Sequence, residues 1–178
     1  MVYIFLAEGF EETEALVPLD ILRRAGIETK TVGVTGELVA GTHGIAVKAD
    51  ILPEEVNHSA IEAVILPGGL PGTTNLEKSS DVQKAVDYAF ENNKLICAIC
   101  AAPSILGHKG ILEGKEATCY PGFEESFKGG KYIKKSVVRS ENIITADGMG
   151  SAFKFGFEIT AALTSKEAAE KIKEQIQY

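Results

Sequence analysis

The sequence predicts a three-layer α/β domain built on a mainly parallel central sheet. Two observations carry that expectation: the strand-length runs are almost purely apolar, and helical patterns separate them. Strands of this kind are covered on both faces, and right-handed crossovers place helices above and below the sheet. A third observation adds antiparallel pieces, because two alternating segments turn back on themselves.

Taken in order, VYIFL (2–6) reads as the first strand. A helix near 12–25 follows, with Ala15, Leu19 and Leu22 as its inward stripe. Pro18 removes a backbone donor inside it, so a kink or an early 3-10 turn is expected. Arg23 and Arg24 meet the negative end of the helix dipole, and Gly26 terminates it. TKTVGV (29–34), AVILP (63–67) and LICAI (95–99) supply further strands, with a helix near 79–92 and another after the last strand. ELVAGTHGIAVKAD (37–50) and SVVRSENIITA (136–146) read as small β-hairpin insertions. The end of the chain holds two helices broken at Thr164-Ser165, with Ser165 as N-cap of the second.

The 178 residues suit a single domain, 1–178, with a core of its own. Hydrophobic residues make up 45% and charged residues 24%, as in ordinary globular proteins. A net charge of −7 argues against nucleic acid as a partner. The one basic stretch, KGGKYIKK (Lys128 to Lys135), reads as a solvated loop matched by nearby acids. The opening apolar run is short and followed by acids, which suits a buried strand better than a leader peptide. No run approaches the length of a membrane span. Three cysteines do not make a disulfide framework, so the expectation is a reducing cytoplasm and free thiols.

Chemistry concentrates where strands end, the edge at which open α/β sheets bind ligands. The first strand ends in AEGFEETE, the central one in LPGGLPG and the next in AICAAP. In AICAAP, Cys100 lies between a strand and the first turn of a helix, the position of a nucleophile elbow. Ala98, Ala101 and Ala102 give the small neighbours such a turn needs, and Pro103 suits the first helical turn. The helix N-terminus is expected to lower the thiol pKa. The N–H of Ala101, with one from Gly68-Gly69, is placed to form an anion or oxyanion pocket. Cys97, inside the strand, and Cys119 read as packing residues.

Glu14 is the second candidate. Glu11 and Glu12 read as solvated caps of the first helix, whereas Glu14 lies off the apolar stripe and can reach across to Cys100. A charged carboxylate there opposes the helix by raising the thiol pKa. Two arrangements relieve the conflict: a protonated Glu14 donating to a thiolate, or a carboxylate that takes substrate protons. Cys97 and Cys100 spell C-x-x-C, but no second ligand pair accompanies them and His43, His58 and His108 are scattered. Neither a metal nor a cofactor is expected.

GFEETEALVPLDILRRAGI, VILPGGLPGTTNL, AICAAP and ADGMGSAFKF, in this order, resemble the DJ-1/ThiJ/PfpI family and its DJ-1-like branch over nearly the whole chain. The resemblance implies a flavodoxin-like sandwich, a homodimer, Cys100 as the reactive thiol and Glu14 as its partner. It also implies an anion pocket at Gly69 and Ala101. Implied activities are glyoxalase or deglycase action on small reactive carbonyls, or peroxide sensing through oxidation of the cysteine. Three positions depart from the family pattern. Tyr120-Pro121 replaces a His-Pro pair, His43 stands for a hairpin arginine that enters the site from the dimer mate, and ADGMG replaces SRGPG with Asp147 in place of a cation. Together these argue against efficient turnover of an anionic or carbonyl substrate. Ala101 stands where the protease-type branch has histidine, which argues against peptidase activity. The carbonyl enzyme ranks ahead of a sensor oxidised to sulfinate, and a redox-regulated chaperone or holdase is the third class.

Overall fold

The computed structural model describes all 178 residues, Met1 to Tyr178. β1 (Val2–Leu6) leads through α1 (Glu12–Arg24) to β2 (Thr29–Gly33), and β3 (Leu38–Ala40) and β4 (Ala46–Lys48) follow. β5 (Ala63–Leu66), α2 (Gly72–Lys78), α3 (Ser80–Glu91), β6 (Leu95–Ile99) and α4 (Pro103–His108) form the middle of the chain. The remainder is β7 (Glu116–Ala117), β8 (Lys131–Tyr132), β9 (Val137–Ser140), β10 (Ile143–Ala146), α5 (Ala152–Leu163) and α6 (Lys166–Gln175).

The central sheet has six strands in the order β2-β1-β5-β6-β10-β9, all parallel except β9. Its strands are buried on both faces, which is why they read as unbroken apolar runs. Alternation assigns Tyr3, Phe5, Val64, Leu66, Ile96 and Ala98 to one face, where α2, α3 and α4 cover them. Val2, Ile4, Leu6, Ile65, Cys97 and Ile99 face α1 and α5. α6 packs outside α5 through Ile21, Phe157, Ala169 and Ile172. The flavodoxin-like three-layer sandwich expected from the sequence is the observed fold.

α1 stays α-helical from Glu12 to Arg24 across Pro18, without the 3-10 turn expected there. Proline lacks the N–H that would bond to the Glu14 carbonyl, and its ring is buried against the core. The 37–50 hairpin forms as a separate two-stranded ribbon with Val39 opposite Val47. The 136–146 hairpin differs from the expected insertion: β10 is an inner strand paired parallel to β6, and β9 is the antiparallel edge. Three elements, α2, β7 and β8, have no counterpart in the sequence reading. α2 is short and polar, and β8 lies inside the stretch read as a solvated loop, paired with β7.

Candidate active site

The carboxyl ends of β1, β5 and β6 bring three loops together. Cys100 follows β6 with φ +63, a conformation in which most side chains are strained, and is partly exposed. Its backbone is fixed on both sides: its N–H donates to Ala146 O at 2.9 Å, and its carbonyl accepts from Tyr120 N–H at 2.8 Å. The N–H groups of Ala101 and Gly69 lie on the sulfur's side and favour its charged form. Gly69 can aim its N–H there because it holds φ +86, and a Cβ on it would lie 2.4 Å from Glu11 N.

Glu14 is fully buried in the first turn of α1, whose N-terminus is capped by Glu11 Oε2 at 2.8 Å from Glu14 N. Glu14 Oε2 accepts the Gly68 N–H at 2.8 Å. Oε1 has no hydrogen-bond partner, and the carboxyl sits across Gly68 from the Cys100 side chain. The space between them is filled: a Cβ on Gly68 would lie 2.6 Å from both Cys100 Cβ and Glu14 Oε2. The Gly68 N–H, expected in the anion pocket, is therefore engaged by Glu14, and the donors at the sulfur are Gly69 and Ala101.

The electrostatics differ from the expected low-pKa thiol. Burial, then the charge and hydrogen bond of Glu14, push Cys100 up to about 12 against the pull of the two N–H groups. Burial raises Glu14 to about 7, although its bonds to Cys100 and Gly68 N–H favour the charged form. The two groups thus hold one proton between them across neutral and mildly alkaline pH. The helix is outweighed because the sulfur is poorly solvated and sits beside a carboxylate. Cys97 is fully buried, and burial drives its thiol well above the usual range.

Two further residues named from the sequence lie apart from the thiol. His43, in the β3–β4 turn, is exposed and bonded through Nδ1 to Glu12 Oε2 at 2.8 Å. Tyr120 is about half exposed, with its ring beside Gly148. Glu12, read as a solvated cap, is instead 4% exposed and accepts the N–H groups of His43 at 2.8 Å and Ile45 at 3.4 Å. This contact spans 31 residues, and no local pattern announces it. Lys131 pairs with Glu116, as expected of charges matched by nearby acids, while Lys134 and Lys135 are exposed, form no ion pair and line a cavity beside Tyr120.

A cysteine with positive φ at a strand-to-helix elbow, beside a buried glutamate, sits at the strand-end edge of a flavodoxin-like α/β domain. The sequence matches the DJ-1/PfpI family over residues 1–162, and the chain belongs to that family. It is 34% identical to Drosophila melanogaster protein dj-1beta over 172 residues, covering 95% of this chain and 92% of that one. Caenorhabditis elegans glutathione-independent glyoxalase DJR-1.2 is 30% identical, covering 93% and 89%. Arabidopsis thaliana DJ-1 homolog B is 36% identical, but the chain spans only 40% of its length. Among solved structures, oxidized Toxoplasma gondii DJ-1 superposes with a TM-score of 0.95 at 35% identity, covering 99% and 97%. These relatives support the DJ-1-like branch. No helix of the chain is long and apolar enough to cross a membrane.

Proposed function

We propose that this protein removes small reactive carbonyls in a DJ-1-like protective role, with Cys100 as nucleophile and Glu14 as proton carrier. The observation that carries this reading is the buried Glu14 carboxyl against a thiol that also faces two N–H groups. Sulfur adds to the aldehyde carbon of a 2-oxoaldehyde, the C=O electron pair moves to oxygen, and the thiol proton reaches that oxygen through Glu14. The Gly69 and Ala101 donors oppose the developing charge. Glu14 then carries the proton from the former aldehyde carbon to its neighbour while the hydroxyl proton passes to the neighbouring oxygen, giving a thioester that water cleaves to the hydroxy acid and the free thiol. The likeness to a glutathione-independent glyoxalase supports this sequence. The test is lactate formation from methylglyoxal by the purified protein. The reading requires a rate that Cys100→Ala abolishes, and equal rates in the two proteins would refute it.

One observation favours a second reading. The orphaned Glu14 Oε1 and the two N–H groups suit the oxygens of a sulfinate formed when two equivalents of peroxide oxidise Cys100 and leave as water. Intact mass after mild peroxide would then rise by two oxygens in wild type and not in Cys100→Ala. A homodimer and a cytoplasmic setting accompany both readings.

A further inference from the structure

Beside the reactive corner lies a cavity of about 650 Å³ whose charge is opposite to that of the acidic chain as a whole. Lys134 and Lys135 line it with no carboxylate to pair with, whereas their neighbour Lys131 holds Glu116 at 2.9 Å. The single acid in the wall, Asp147, already accepts the Ser151 hydroxyl at 2.5 Å. Deeper in the wall, Thr118 is fully buried and its Oγ1 has no hydrogen-bond partner, while its N–H is satisfied by Thr145 Oγ1 at 2.9 Å. The phenols of Tyr120 and Tyr132 complete the polar lining.

The cavity is one hydrogen bond from the nucleophile on each side. Tyr120 N–H donates to Cys100 O, and Cys100 N–H donates to Ala146 O, the residue before Asp147. A buried hydroxyl without a partner is costly, and the two exposed ammonium groups outweigh the one carboxylate of the wall, so the cavity favours an anion.

We propose that this cavity holds the anionic end, a carboxylate or a phosphate, of a carbonyl compound whose reacting carbon lies at Cys100. The proposal rests on the carbonyl reading above and names its substrate class. It reverses the expectation drawn from His43 and Asp147, because Lys134 and Lys135 supply cations from a different loop.

Two experiments test it. Inorganic phosphate and succinate are titrated separately into Cys100→Ala protein at matched ionic strength and followed by amide chemical shifts. Saturable shifts at Thr118, Lys134 and Lys135 are expected at roughly millimolar anion. They should weaken by roughly fivefold or more in the Lys134→Ala/Lys135→Ala background and return with arginine at both positions. No saturable shift with either anion, or shifts indifferent to the two lysines, overturns the proposal. The second experiment measures protection of wild-type Cys100 from iodoacetamide by matched aldehydes. Succinic semialdehyde is compared with butyraldehyde, and glyceraldehyde 3-phosphate with glyceraldehyde, so the pairs separate carboxylate from phosphate. The anionic member of at least one pair should protect roughly fivefold better, an advantage erased in the double-lysine variant. Equal protection within both pairs overturns the single two-part site. If no aldehyde protects the thiol, the carbonyl reading and the two-part site fail together, while the titration decides anion binding by itself.

Discussion

The carboxyl of Glu14 sits across Gly68 from the Cys100 side chain and is held by the Gly68 N–H at 2.8 Å. A helix that begins after β1 and a turn that ends β6 thereby share one proton, and the first predictions follow from that sharing.

Alkylation of Cys100 by iodoacetamide should keep rising with pH toward a midpoint of about 12, because burial and the Glu14 carboxylate both oppose the thiolate. Glu14→Gln removes the neighbouring charge, so the midpoint should move below the wild-type value. Mass-spectrometric rates across pH 6–11 check this, and an unchanged or raised midpoint would contradict the coupling of the two groups.

Stability should respond in the opposite sense. Folding raises Glu14 from 4.5 to about 7, so between those values the native state keeps a proton that the unfolded chain has released. Native stability therefore falls as pH rises through this window, by up to about 3 kcal/mol. Glu14→Gln should lack that loss and be the more stable protein at pH 8, with the gap closing toward pH 4. Urea unfolding at the two pH values is the measurement.

Gly68→Ala should leave a folded protein with a crippled site. The added Cβ would lie 2.6 Å from both Cys100 Cβ and Glu14 Oε2, so the two side chains must part. A displacement of that kind should slow lactate formation from methylglyoxal on the order of tenfold or more, with the far-ultraviolet circular dichroism unchanged.

Glu12 tests a different part of the chain. The His43 hydrogen bond, with the N–H groups of His43 and Ile45, holds the Glu12 carboxyl below its usual range although burial opposes this. Glu12→Ala should loosen the β3–β4 turn by about 1–3 kcal/mol and speed amide exchange at His43 and Ile45. In wild type the hydrogen bond to Glu12 raises the His43 pKa. The His43 contribution is complete below the ordinary 6.5 and fades as pH rises through the raised value.

Much of this arrangement was legible in the sequence, for identifiable reasons. The doubly covered strands announced themselves as apolar runs, and small residues around Cys100 marked the elbow. Glu14 was visible because it lies off the inward stripe of α1 yet within reach of the neighbouring strand ends. What was hidden depends on contacts between distant segments. Glu12 and Glu14 look alike in a string of acids, and only the hairpin's return buries the first. Lys134 and Lys135 are solvated as their sequence suggests, but the cavity they border is built by distant loops and leaves no signature in the stretch. The thiol's raised pKa follows from three-dimensional burial, against which a local helix argument had little weight.

The doubly tethered backbone of Cys100 has a consequence for how the protein handles its chemistry. With its amide bound to Ala146 and its carbonyl bound to Tyr120, the residue's backbone has no freedom to swing out, and the sulfur can move only by rotation about its own Cα–Cβ bond. Any opening and closing falls to the side chains around the entrance. Crystals of the empty protein should accordingly accept soaked electrophiles without cracking.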